Sequence, residues 1–295
     1  MATDTLTDVF EEHRPLLTGV AYRMLGRVSD AEDVVQEAWL RWSAQDRADV
    51  VAPRGYLVRI TTRLAVDRLR HLQSRRESYV GPWLPEPIAT AAWGTAPDDL
   101  AEQAVLAESI SFAVLVVLES LSPSERAVFV LREAFGFPYA EIAATLDRSE
   151  AAVRQLAARA RRHVEERKPR YDVDPAQCRD LTERFLAAAS GGDLDALLSL
   201  LAPDVRLIGD SGGKSKAPLR IMETADKVGR FLFAVAKEPD PDMVLRFVEI
   251  NGAPALLVLS AGRPDTVLQL GIANGRIQCV YIVRNPDKLS GVATA

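Results

Sequence analysis

The spacing of apolar positions is helical from Leu6 to about Arg76 and again from Leu100 to Lys168, and it becomes strand-like toward the C-terminus. Leu16, Leu17, Val20, Ala21 and Met24 form one apolar face. Val34, Val35, Ala38, Trp39 and Trp42 form the next, leaving Asp33, Gln36 and Glu37 on the polar side. Ser29 followed by Glu32 predicts a capping box at the start of that helix, and the clustered acids suit its positive end. Ala44 to Pro53 reads as a loop, with Pro53 at a helix start. Leu57, Ile60, Leu64 and Leu69 then point inward while Arg59, Arg63, Arg68 and Arg70 are more exposed. Further on, Ser122-Pro123-Ser124-Glu125 predicts another capped start, and Gly136 a stop. Ile142, Ala143 and Leu146 face a longer stripe made of Val153, Leu156, Ala157, Ala160 and Val164. Asp147-Arg148-Ser149 makes the turn between them, with Ser149 as N-cap.

Two boundaries interrupt the pattern. Between Tyr79 and Asp99, Gly81, Pro82, Pro85, Pro87, Gly94 and Pro97 deny regular structure. Trp83-Leu84-Pro85-Glu86-Pro87 reads either as an extended docking peptide or as a loop packing its own tryptophan. Lys168-Pro169-Arg170 is the second boundary. Beyond it come helices over Pro175–Ala189 and Leu194–Leu201, a strand at Val205–Ile208, and a loop at Asp210–Lys214. A helix over Met222–Ala236 precedes strands at Met243–Ile250, Ala255–Ser260, Thr266–Ala273 and Arg276–Val283. Asn251-Gly252 and Asn274-Gly275 are hairpin signals because both residues tolerate positive φ. The expected unit is α+β, with helices packed into the curve of an antiparallel sheet.

Charge changes the picture. The formal net charge is −5 over 295 residues, yet Arg148–Arg170 holds eight Arg or Lys against three Glu, and Arg59–Arg76 six Arg against one Asp. A basic second helix after a short turn is a helix-turn-helix pattern, and its charge points to DNA. An ordinary helical hairpin with a solvated basic face is the plain alternative. Two cysteines, Cys178 and Cys279, exclude a disulfide framework and offer no zinc spacing, so buried free thiols are expected. The polar N-terminus lacks a signal peptide, and the longest apolar run, Phe112–Leu118, is too short to span a bilayer, so a cytoplasmic chain with no membrane partner is expected.

Three ordered motifs carry a family resemblance. DAEDVVQEAWLRW (Asp30–Trp42) resembles the region-two helix of bacterial extracytoplasmic-function sigma factors of the sigma-70 family, which grips the RNA polymerase clamp. RGYLVRITTRLAVDRLR (Arg54–Arg70) resembles the following helix, which meets the −10 element. Leu121–Arg162 resembles region four, which reads the −35 element. The chain after Asp172 resembles a SnoaL-like domain, carried by a subgroup with WLPEP, DGGGK and NPDKL motifs. WLPEP stands at Trp83–Pro87 and NPDKL at Asn285–Leu289, while DGGGK appears as Asp210-Ser211-Gly212-Gly213-Lys214, with Ser211 replacing a glycine.

The resemblance implies a multidomain chain: two all-α sigma domains, the second a helix-turn-helix, then an α+β cone with a curved antiparallel sheet. The expected divisions are 1–78 for region two, 79–105 for the linker, 106–168 for region four and 172–290 for the SnoaL-like domain. Arg154, Gln155 and Arg159 match positions facing the −35 major groove, and Arg161 and Arg162 suit phosphates. Arg63, Arg68 and Arg70 are the −10 candidates, and the Ala44–Pro53 loop is the candidate for a flipped base. Asp30, Asp33, Gln36 and Glu37 are candidates for polymerase contact, dipole complementarity being the plain alternative. A regulatory intramolecular contact is expected to join Trp83, Leu84, Pro85, Glu86 and Pro87 to Asp210, Gly212, Gly213 and Lys214 and to Asn285, Pro286, Asp287, Lys288 and Leu289, or to join these loops to the sigma domains.

The implied partners are RNA polymerase core and promoter DNA, with a monomer when free and no metal or cofactor. His13, His71 and His163 lie outside the C-terminal unit, which leaves it no histidine base. Asp210, Glu249 and Tyr281 form a polar trio there that reads as turn and sheet residues rather than as catalytic ones. The expected function is a sigma factor modulated by its own C-terminal domain. The alternative is a DNA-binding transcription regulator fused to a small-molecule-binding or enzymatic domain.

Overall fold

A computed structural model describes residues 2–44, 50–76, 78–90, 111–167, 175–236 and 242–292. They form two compact units, one from residues 2–76 and 114–167, the other from 78–90, 111–113 and 175–292. The described part of the linker, with WLPEP, thus belongs to the C-terminal unit. Trp93 and much of the Ala44–Pro53 loop lie outside the described residues.

The first unit opens with helices α1 (Ala2–Leu25), α2 (Val28–Ser43) and α3 (Pro53–Arg76). Their apolar faces bury Leu17, Val20, Met24, Val35, Trp42 and Leu57 almost completely. Trp42 also donates its indole N–H to the Leu6 carbonyl at 2.9 Å, so its one polar atom is satisfied. The box expected at Ser29 does not form. Gly26, at φ +72°, ends α1, and α2 begins after extended Arg27 with no side-chain cap. That places Asp30 in the first turn, where an arginine of α3 claims its carboxylate.

After α4 (Phe112–Leu118), α5 (Pro123–Phe129) has the complete capping box expected at Ser122 and Glu125. It continues as a π-helical turn, Val130–Ala134, before Gly136 at φ +67°. Helices α6 (Tyr139–Leu146) and α7 (Glu150–Arg167) follow. Asp147 adopts the left-handed conformation at the end of α6, and the Ser149 hydroxyl accepts from the Ala152 amide at 3.2 Å to start α7.

The C-terminal unit packs α8 (Pro175–Gly191), α9 (Leu194–Leu200) and α10 (Ala225–Ala236) against a six-stranded sheet. The strands are β1 (Leu201–Asp210), β2 (Met222–Glu223), β3 (Met243–Ile250), β4 (Ala253–Ser260), β5 (Arg263–Ala273) and β6 (Arg276–Val283). Their order is β2-β1-β6-β5-β4-β3. Phe185, Leu197, Leu207, Val228, Ile277 and Val280 lie at the core between helices and sheet.

The sheet is mixed, not purely antiparallel, because β1 and β6 run parallel. Three successive hairpins walk the chain back from the β3 edge, so β6 arrives beside β1 in the same direction. Two of those hairpins have the expected Asn-Gly turns, with φ +50° and +72° at Asn251-Gly252 and +52° and +69° at Asn274-Gly275. The third, Ala261-Gly262, has the same pair of positive φ values with an alanine in front, which hid it and the start of β5 from the sequence reading. Residues Met222 and Glu223, expected to be helical, form the short β2 instead.

Neither cysteine is in a disulfide; Cys178 is half-buried and Cys279 is buried on β6, where burial pushes its thiol up. A thiol reagent is therefore expected to label Cys178 before Cys279 in the folded chain, and the order is checked by mass spectrometry. Equal labelling rates would contradict this packing.

Candidate nucleic-acid interface

Helix α7 has two faces. Val153, Leu156, Ala157, Ala160 and Val164 are buried. Arg154, Gln155, Arg159, Arg161 and Arg162 are all exposed on the other side. The guanidinium of Arg154 lies 4.6 Å from the Tyr139 ring centre and bonds to Glu150 one turn earlier. Arg159 approaches Glu125 at 3.5 Å. Arg161 donates to Glu133 at 2.9 Å and to the Tyr139 hydroxyl at 3.2 Å, and the Glu133 hydrogen bond holds its proton more firmly than usual. The arginine side of each pair is exposed, and such pairs are worth at most about 1 kcal/mol.

The −10 candidates are placed differently. Arg63 donates to the Thr145 carbonyl at 2.7 Å and to Ala144 at 3.3 Å, at the C-terminal end of α6. That end carries partial negative charge and orphan carbonyls, which a cation satisfies. Arg68 binds Asp30 at 2.6 Å and Asp33 at 3.4 Å, and the Asp30 hydrogen bond raises its pKa. Arg70 pairs with Asp67. Asp30 is only 5% exposed, whereas Asp33, Gln36 and Glu37 are exposed along α2. The structure therefore separates the four acidic and amide candidates into three on the surface and one inside.

Two arginines of the first unit had no expected role. Arg126 is 1% exposed, pairs with Glu119 at 2.7 Å, and donates to the Arg23 carbonyl at the end of α1 at 3.0 Å. Arg23 is equally buried and stacks over Phe135 at 4.5 Å. Burial lowers their pKa values to about 9 and about 10. A helical arginine reads as surface in a sequence, so nothing local could have revealed them.

In the C-terminal unit the three motifs converge on Asp210, which is fully buried. Its Oδ2 accepts from the Leu84 amide at 2.7 Å and from Lys288 Nζ at 2.7 Å. Its Oδ1 accepts from the Tyr79 hydroxyl at 2.6 Å and from the Gly212 amide at 3.1 Å. Lys288 also donates to the Leu84 carbonyl at 2.5 Å and lies 3.9 Å from the centre of the Trp83 ring. Both polar atoms of the Leu84 backbone are thus held by one buried ion pair. Asn285 starts the turn Pro286–Lys288 that presents Lys288, and it donates to the Tyr79 hydroxyl at 2.8 Å.

Leu84, Pro85, Glu86, Pro87 and Leu289 are buried, and Trp83 is half-buried. Ile88 exchanges two hydrogen bonds with Asn251, extending the hold to the first hairpin. Gly212, at φ +57°, leaves no room for a side chain, since a Cβ there would meet Asn285 Nδ2 at 2.6 Å. Ser211 lies outside the left-handed region, so serine is accommodated where the motif has glycine. Gly213 and Lys214 are exposed, and Lys214 pairs with Asp287 across the same two loops.

Tyr79 and Asn251 were missed. An aromatic hydroxyl four residues before WLPEP was the available signal for the first, and only the fold supplies the second. Asp210, Glu249 and Tyr281 do not meet. Glu249 is exposed on β3, and β5 and β4 separate it from Tyr281 on β6, roughly 14 Å at the usual strand spacing.

Comparison with known proteins bears on the two helical domains first. Residues 9–76 match the model of Sigma-70 region 2, and residues 111–164 match that of Sigma-70, region 4. The ECF RNA polymerase sigma factor SigJ of Mycobacterium tuberculosis is 41% identical, covering 96% of this chain and 92% of its own length. The chain belongs to the extracytoplasmic-function sigma factors. A crystal structure of SigJ from that bacterium superposes with a TM-score of 0.76 at 37% identity, over 97% of this chain and 98% of the other. SigG of M. tuberculosis is 32% identical over 66% of this chain and 58% of its own length. The RNA polymerase sigma factor described here thus has both helical sigma domains and an α+β C-terminal domain. No described helix is long and apolar enough to cross a membrane.

Proposed function

We propose that this sigma factor joins RNA polymerase core in the cytoplasm and directs it to promoters whose −35 element is read by α7. Asp33, Gln36 and Glu37 provide the core-binding surface on α2, with Asp30 acting from inside by holding Arg68 in place. The observation that carries the reading is the exposed set Arg154, Gln155 and Arg159 opposite a fully buried stripe on the second helix of a helix-turn-helix. Arginine suits guanine and glutamine suits adenine in the major groove, at about 1–3 kcal/mol per good pair. Arg161 and Arg162 hold phosphates, and Arg63, Arg68 and Arg70 serve the −10 side.

With core polymerase and a cognate promoter, Arg154→Ala and Gln155→Ala are each expected to weaken binding by roughly 5- to 150-fold. Binding to a scrambled −35 element should stay unchanged. Arg162→Ala should weaken both alike and lower the salt slope by about one. Uniform loss for all three variants would refute base reading by α7.

The C-terminal unit works by holding the linker, not by catalysis. The WLPEP segment belongs to the chain that joins the two promoter-binding modules, and its capture by Asp210 and Lys288 bears on how those modules are presented. Support comes from the hydrogen bonds of that pair to both polar atoms of Leu84. Promoter-directed transcription is expected to differ among the full chain, a chain ending before Asn285 and one ending before Asp172. Three equal activities would sink the regulatory role. A regulator acting without polymerase is disfavoured by the family, and co-purification with core tests the point directly.

A further inference from the structure

The C-terminal unit encloses a cavity of about 520 Å³, within the range of small-molecule sites. Phe185, Leu232, Leu256, Val258, Leu268 and Ile282 line its interior, between helices and sheet. Its rim is also apolar. Val235, Met243 and Leu245 border it and stay 56%, 40% and 50% exposed. Large apolar side chains left open around an apolar hollow favour an apolar occupant.

The cavity has a polar part made of Lys216, Asp265, Thr266 and Arg284. Arg284 Nη2 donates to both Asp265 oxygens at 2.9 and 2.8 Å, and Nη1 donates to the Lys216 carbonyl at 2.8 Å. The Thr266 hydroxyl donates to Asp265 at 2.6 Å. The charged residues of the lining are two cations, Lys216 and Arg284, and one carboxylate, Asp265, a formal charge of +1. Arg284 Nε is buried with no acceptor among the described residues. The part is rich in donors and short of one negative charge.

We propose that this cavity binds an amphipathic monocarboxylate, its apolar body between α8, α10 and the sheet and its carboxylate near Arg284 and Lys216. The carboxylate supplies the missing charge, and the body covers the exposed rim. The site is separate from the Asp210–Lys288 clamp, and no clamp residue lines it.

The test uses the full chain and N-phenyl-1-naphthylamine, a neutral fluorescent apolar probe, with decanoate and 1-decanol as competitors. The expected result is saturable probe binding at one site, with decanoate displacing it at a concentration at least tenfold below 1-decanol. Lys216→Met and Arg284→Met should each remove that preference while keeping probe binding. Ala189→Trp, placed on a half-buried lining position, should weaken the probe at least tenfold, with thermal unfolding reporting that the variant folds. Val244→Ser, an exposed change on the opposite face of β3, should alter nothing.

Absence of saturable binding by the folded chain overturns the proposal. So does equal or better displacement by 1-decanol, or equal loss in Val244→Ser. Binding seen only on dilution from a dimer would assign the rim to a second copy of the chain, and would overturn it too.

Discussion

Replacing Lys288 with methionine is expected to destabilise the C-terminal unit by about 3–5 kcal/mol, because Asp210 is then left charged, buried and without its cation. The two side chains are 1% and 0% exposed, so water cannot compensate. The neighbouring pair Lys214–Asp287 is a built-in contrast. Its side chains are 54% and 49% exposed, and Lys214→Met should cost no more than about 1 kcal/mol. Urea denaturation followed by hydrogen exchange of the β1 and β6 amides, which belong to the C-terminal unit, measures both. The double change Asp210→Asn with Lys288→Met should recover part of the loss, since the orphaned charge is gone. It should not restore the linker, whose Leu84 carbonyl has lost its donor. Limited proteolysis within residues 78–90 reads that second effect separately. An unchanged denaturation midpoint in Lys288→Met would show that the pair does not hold this unit together.

The second large effect is expected at Arg126. Its guanidinium spans from Glu119 to the Arg23 carbonyl, so one side chain joins the last turn of α1 to the start of the helix-turn-helix region. Arg126→Met should cost the first unit about 3–5 kcal/mol by taking the cation from the Glu119 pair and the donor from that carbonyl. Arg126→Lys keeps the charge but loses the planar fork, and should recover less than half. Burial lowers the folded-state pKa of Arg126 below its ordinary value, a desolvation cost that the ion pair with Glu119 has to offset.

Both effects rest on side chains whose burial no local pattern announces. Lys288 belongs to a recognisable motif and Arg126 to a recognisable helix, but each reads as surface. A lysine or arginine enters a protein interior only when distant groups supply its partners. For Lys288 those are Asp210, Leu84 and Trp83, and for Arg126 they are Glu119 and Arg23. The same logic explains Arg63 and Arg68. Their outward positions on α3 were legible from the helical period, yet Arg63 is engaged by α6 and Arg68 by Asp30. Both sets thus have partners in the chain itself, Arg63 and Arg68 on other helices of the first unit and Arg154, Arg159 and Arg161 on glutamates.

The helix-turn-helix was legible because its determinants are local. A 3.6-residue period assigns the buried stripe of α7, short polar residues at Asp147 and Ser149 make the turn, and the charges fall where the stripe does not. The capped start at Ser122 and the two Asn-Gly hairpins are equally local. The capping box expected at Ser29 failed because Gly26 ends α1 and α2 already begins at Val28, which puts Ser29 inside the helix. The parallel β1–β6 pair could not be read at all, since it depends on where three hairpins return the chain. By itself, then, the sequence determined most of the elements, the basic face and the family, all set by neighbours within a turn or two. Only the tertiary structure decided that Asp210, Leu84 and Lys288 form one clamp and that a lined cavity opens beside α10. Groups far apart in the chain must be brought together before a buried charge or a hollow can exist.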